Sequence, residues 1–240
     1  MKSGFANMDS RRSDQSGGLP VPPLEKPCDK PGKIFKLPSP DSRAMGKSDI
    51  LTCLKDRRSR RGFSDQPLTL VELATLLWAT QGVDRVSPDR CATFRPVPSA
   101  GARHAFETYI VANHITRLDG GIYRYLPLTH ELMLTGDSPD NISQKLSAAT
   151  FGQEFAARAA GLFVWSCIPY RGEWRYQHES HKTMLLDAGH ICQNLYLAAE
   201  AMELGTCAIA AYDQEAIDSI LGLDGEDEFT VYLAPVGKLT

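Results

Sequence analysis

The segment Met184 to Glu203 constrains the fold most. Read as a helix, it is apolar over most of its circumference. Such a helix is expected to be buried, inside the chain or between subunits. Asp187, His190 and Asn194 interrupt it at i, i+3 and i+7 as one polar stripe. Gly205 is expected to stop it, and Cys207 to Tyr212 then reads as a buried strand.

Other segments take their type from pattern and punctuation. Ser48 begins a helical pattern through Ile50, Leu51 and Leu54. Thr69-Leu70-Val71-Glu72 has the form of a capping box, opening a helix with Leu73, Leu76 and Leu77 on one face and Gly82 at its end. Residues 83–105 read as loop. Glu107 to Ala112, Ile122 to Leu126 and Glu131 to Leu134 read as strands, the second following the Gly120-Gly121 turn. Ser138-Pro139 resembles an N-cap with a first-turn proline. Phe155 to Ala160 reads as helix, Gly161 to Cys167 as a buried strand, a short helix follows Asp213, and Phe229 to Val236 is the last strand. Strands and helices mix without βαβ alternation, which predicts an α+β fold.

A chain of 240 residues suffices for one sizeable core. Residues 1–45 read as an extended arm, partly disordered or laid across another surface, because seven prolines from Pro20 to Pro40 sit among Gly, Ser and Lys. Residues 46–240 read as the folded domain. The net charge of −3 argues against a protein living on nucleic acid. No apolar run reaches membrane-spanning length, and the N-terminus lacks a hydrophobic signal region. The six cysteines form no C-x-x-C pair, so a metal cluster is not expected, and their scatter fits a reducing cytoplasm. Cys192 and Cys207 read as small core hydrophobes. His178 and His181 frame Glu179 as H-E-x-H, which does not put two ligands on one helical face, so no metal site is expected there.

Three stretches carry chemistry. Arg57-Arg58-Ser59-Arg60-Arg61 sets four guanidinium groups around one hydroxyl, a set suited to phosphate. By itself it could equally be a solvated helix end complementing the helix dipole. Pro98-Ser99-Ala100-Gly101 offers small residues and free backbone N–H groups to a close ligand. Ala208-Ile209-Ala210-Ala211 could present backbone to a planar ring, although alone it reads as plain core.

In this order, the three stretches resemble the flavin-dependent nitroreductase family, and most closely its SagB-type, azoline-dehydrogenase-like branch. The resemblance spans about residues 35–240. It is also carried by Leu76-Leu77-Trp78-Ala79-Thr80-Gln81-Gly82, Gly121-Ile122-Tyr123-Arg124-Tyr125, Asp187-Ala188-Gly189-His190 and Val236-Gly237-Lys238. The Pro-rich arm with Leu24-Glu25-Lys26-Pro27 also looks like that branch.

The resemblance implies a three-layer fold, with a central, mostly antiparallel sheet flanked by helices, in an obligate homodimer binding FMN at its interface. Arg57, Arg58, Ser59 and Arg61 would hold the 5′-phosphate and ribityl chain, with Arg60 pointing elsewhere. Pro98, Ser99, Ala100 and Gly101 would come from the partner subunit to line the ring. Ala208, Ile209, Ala210 and Ala211 would pass the ring, with the Ala210 N–H near flavin N5. Lys238 would add charge near the phosphate or the pyrimidine edge. NADH or NADPH would donate hydride, passed through flavin N5 to a small nitro- or quinone-like acceptor by ping-pong exchange. Tyr176 and Arg175, with Trp174, are candidate substrate contacts.

Two positions depart from the family pattern. Ala210 stands where glycine is common. Arg175-Tyr176 stands where azoline dehydrogenases carry a Lys-Tyr pair, and arginine cannot act as a base at neutral pH. The alternatives are a SagB-type dehydrogenase of an azoline-containing peptide, another flavin task such as reductive dehalogenation or flavin cleavage, and a non-enzymatic Arg-rich dimer binding RNA or a partner. His190 reads as structural, at the dimer seam.

Overall fold

The computed structural model describes residues 12–28, 32–42, 46, 49–137 and 140–240. The helix starts expected at Ser48 and at Ser138-Pro139 lie outside them. Seven strands form one sheet in the order β1-β6-β5-β4-β7-β9-β8. They are β1 (Ile34–Lys36), β4 (Phe106–Ala112), β5 (Gly121–Leu126), β6 (Glu131–Asp137), β7 (Gly161–Cys167), β8 (Leu204–Thr206) and β9 (Phe229–Lys238), while β2 (Arg85–Val86) and β3 (Thr93–Phe94) make a separate hairpin. Every pairing between these strands is antiparallel.

The sheet is covered on both faces, as its side-chain alternation requires. Phe106, Ile110, Phe163, Trp165, Ala234 and Val236 face α2 (Leu70–Gln81) and α6 (Ser180–Ala201). Tyr109, Val111, Leu162, Val164 and Leu233 face α3 (Ile142–Ala149), α4 (Phe155–Arg158) and α7 (Gln214–Leu221). The layers are therefore helix, sheet, helix. The capping box at Thr69 and Glu72 forms with both hydrogen bonds present. Gly82 ends α2 at φ −55, so no left-handed turn requires it; a Cβ there would run into the Trp78 indole.

Several elements differ from the sequence expectation. Helix α6 stops at Ala201, and Glu203, at φ +58, makes the left-handed turn into β8. Gly205 therefore lies inside a strand, where a Cβ would meet Leu239 at 2.5 Å and Phe63 at 3.1 Å. Cys207 to Tyr212 is not a strand: it leaves the sheet edge after Thr206 and meets β9 through the Ile209–Leu233 bridge and a hydrogen bond from the Tyr212 hydroxyl to the Thr230 carbonyl at 3.0 Å. Within one chain α6 is not buried on most sides, since Leu185 and Leu186 are 58% and 56% exposed, which leaves only burial between subunits for that face. A seven-residue helix, α5 (Tyr170–Tyr176), fills a stretch with no apolar period.

Residues of the proline-rich arm lie along this domain. Ile34–Lys36 pairs with β6. Trp174 Nε1 donates to the Leu19 carbonyl at 3.1 Å, and Tyr170 donates to Asp14 at 2.9 Å. The Lys26 N–H donates to Glu107 at 2.8 Å, and its ammonium pairs with Glu228.

Candidate active site

The arginine run follows α1 (Ile50–Asp56), whose N-cap Asp49 accepts from Leu51 and Thr52. It is pinned beside the sheet edge: the Arg60 N–H donates to Thr206 O at 2.9 Å, and Ser64 N–H to Lys238 O at 2.9 Å. The four guanidinium groups then diverge. Arg60 turns to Glu200, 3.1 Å away. Arg57 stands over the Tyr196 ring at 5.1 Å, and Arg61 over Phe155 at 5.6 Å. Arg58 donates to the carbonyls of Lys55 and Arg57. Among the described residues, Arg57, Arg58 and Arg61 make no ion pair.

Tyr196 on α6 joins this run to the small-residue segment. Its hydroxyl lies 2.9 Å from Ser59 Oγ and accepts the Ala208 N–H at 2.8 Å. Ile209 is buried and exchanges two backbone hydrogen bonds with Leu233. Ala210 and Ala211 are exposed. Gln153 fixes the Ala211 carbonyl at 2.9 Å, from the same loop that leads into Phe155. The Ala210 N–H has no hydrogen-bond partner among the described residues. Lys238 is already committed, to Glu72 in the first turn of α2.

The Pro98 loop belongs to a second cluster. Pro98 is exposed, Ser99 accepts the His104 N–H at 3.0 Å, and the Ala100 N–H donates to Asp187 at 3.4 Å. Asp187 also bonds the Ser99 side chain; burial raises its pKa above the ordinary carboxylate range, and these bonds only partly oppose it. Gly101 takes φ +60, and a Cβ there would lie 2.6 Å from the Tyr176 hydroxyl and 3.1 Å from Arg175. The loop thus closes over the end of α5. Behind it, Arg171 is buried against Glu107 at 2.5 Å. Burial and the cations Arg95, Arg103 and Arg171 push the His104 pKa down to about 3.

The two clusters do not meet within one chain. Asp187 and Tyr196 lie nine positions apart on α6, which at helical pitch is about 13 Å along the axis and on opposite faces. Tyr196, Gln153 and Asp187 organise the site without having stood out as site residues in the sequence. The polar stripe at Asp187 was the one available signal.

These features sit on a nitroreductase-type fold. Residues 54–238 match the model of the nitroreductase family, to which the chain belongs. A Methanocaldococcus jannaschii relative named as a nitroreductase is 30% identical over 207 residues, covering 86% of this chain and 98% of that protein. A trifolitoxin-processing protein of Rhizobium leguminosarum bv. trifolii is 29% identical over 133 residues, covering 54% of this chain and 36% of that longer protein. A solved nitroreductase-named structure from Ralstonia eutropha superposes with a TM-score of 0.70 at 25% identity, covering 92% of this chain and 99% of its own. Family and fold make the chain an oxidoreductase of this class. Among the described residues, no helix is long and apolar enough to cross a membrane.

Proposed function

We propose that residues 46–240 form an FMN-dependent oxidoreductase domain, strapped by the arm, that works as a homodimer in the cytoplasm. One observation carries the reading: the Tyr196 hydroxyl ties Ser59 of the arginine run to Ala208 of the small-residue segment. An anion site and an open stretch of small residues therefore adjoin. The residues fit the cofactor. Arg57, Arg58 and Arg61 have charge to give a phosphate dianion, and exposed Ala210 offers an unengaged N–H on a stretch of small residues.

In this reading, Arg57, Arg58, Arg61 and Ser59 hold the phosphate and ribityl chain. Ala210 and Ala211 would line the ring, and the Ala210 N–H would be available to donate a hydrogen bond to it. The opposite placement of the Pro98 loop on α6 suits its service to the partner's flavin. Exposed Leu185 and Leu186 on α6, with Ile50, Leu51 and Leu54 on α1, give such a dimer an apolar face. Lys238 acts through its pair with Glu72, holding the sheet end against α2. Bound flavin supplies hydride acceptance and return at N5, with NADH or NADPH as donor and a small nitro- or quinone-like molecule as acceptor. Tyr176 can donate a hydrogen bond to that acceptor, while Arg175 can stabilise the negative charge that hydride delivery leaves on it and moves no proton.

Purified protein should show a flavin absorbance spectrum that NADH or NADPH bleaches anaerobically. Protein that stays colourless after incubation with FMN would sink the reading. The likeness to the trifolitoxin-processing protein favours a second one, oxidation of an azoline-containing peptide. Flavin bleached by neither nicotinamide would support it.

A further inference from the structure

We infer that Glu173, His178 and His181 form a site for a borderline divalent metal ion such as Zn2+, at the corner between α5 and α6. One ligand atom from each lies within 4.8 Å of the other two. His181 Nε2 is 2.6 Å from Glu173 Oε1, and the two imidazoles meet edge to face at 5.8 Å. The H-E-x-H spacing sets Glu179 between the histidines, and that trio does not converge. The carboxylate that reaches them is Glu173, brought back by a sharp turn at Gln177 (φ 51, ψ −141).

Two imidazoles and one carboxylate suit zinc and its neighbours, not the all-oxygen shells of Mg2+ or Ca2+. Bonds of about 2.0–2.2 Å would set the ligand atoms about 3.4 Å apart, within small side-chain rotations of this arrangement. The Glu173–His181 hydrogen bond must open, and Nε2 must present its lone pair, so binding weakens as the imidazoles are protonated. Both histidines are exposed, so an ion can enter from solvent and keep water in a remaining position. Arg175, two residues along α5, projects from another side of the helix. The ion would staple the end of α5 to the start of α6, fixing the corner that carries Arg175 and Tyr176. This inference does not depend on a bound flavin.

Full-length, chelator-stripped protein should be titrated with Zn2+ by calorimetry, and with Mg2+ as a control. One Zn2+ per chain is expected, with no Mg2+ heat, and affinity should fall at least tenfold in each of Glu173→Gln, His178→Ala and His181→Ala. The Co2+ form should show d–d bands without a thiolate charge-transfer band. Absence of Zn2+ binding, affinity unchanged in the three variants, or a thiolate band assigning the ion to cysteine would each overturn the site. Should His181→Ala fail to fold, His178→Ala, which leaves the Glu173–His181 hydrogen bond intact, tests the site in the same way.

Discussion

Burial beneath the Pro98 loop keeps the His104 imidazole neutral, and the cations Arg95, Arg103 and Arg171 reinforce this, with a pKa near 3 against an ordinary value of 6.5. The unfolded chain takes up a proton below pH 6.5 and the folded chain does not, so stability falls as pH drops from 6.5 toward 3. Lowering pH from 7 to 5 should cost about 2 kcal/mol through this residue. In urea melts at the two pH values, His104→Gln should lose less stability than the parent by that margin; equal losses would refute the assignment. Arg171 makes a related point with opposite chemistry. Its guanidinium is 2% exposed and paired with Glu107. Arg171→Leu leaves Glu107 buried beside fewer partners and should cost about 3–5 kcal/mol, read as a large drop in melting temperature. Arg61 tests the cofactor proposal. It is exposed and, among the described residues, its side chain rests on Phe155. Arg61→Glu should therefore spare the fold and reduce flavin occupancy at least tenfold. Retained flavin would mean that the arginine run serves another anion.

Element by element, the chain declares itself where local chemistry is sufficient. Strand β7 matches the apolar run Gly161 to Cys167 end for end, because a strand buried on both faces needs no alternation. The Thr69–Glu72 box is equally legible, being written within four residues. Helix α5 was illegible for a physical reason. Its buried face is made by Arg171, Gly172 and Trp174, and the partner that makes Arg171 tolerable, Glu107, lies 64 residues away. The Cys207–Tyr212 stretch failed differently: alanines carry no period, and the end of β8 is set by pairing with β9. The site follows the same rule. Arg57 to Arg61 and the Pro98 loop are visible as motifs, whereas the Tyr196 hydroxyl that joins two of them, and the opposite facing of the third, exist only after folding. Gly101 is where element and site coincide. At φ +60 an alanine costs about 1–2 kcal/mol, and its methyl would displace the Tyr176 hydroxyl. Gly101→Ala should thus raise KM for the acceptor more than the small stability loss explains. Steady-state kinetics beside a thermal melt separates the two.

At the scale of the molecule, a three-layer sandwich should leave its outer helices wetted on one side, and α6 breaks that expectation. Its inner face packs on the sheet and α2, while Leu185 and Leu186 stand in solvent, with Ile50, Leu51 and Leu54 of α1 exposed as well. Apolar area of this kind is covered in a working protein. In the proposed dimer a second copy would be that cover and would also reconcile the site, because the Pro98 loop and the arginine run face opposite sides of α6. The coupled consequence is specific. Charging the seam with Leu185→Glu and Leu186→Glu should convert a dimer to monomer in light-scattering mass measurements. The same variant should lose flavin, although none of Arg57, Arg58, Ser59 or Arg61 has been touched. Loss of dimer with full flavin retention would show that one chain holds the cofactor alone. An unchanged dimer would place the interface elsewhere on the surface.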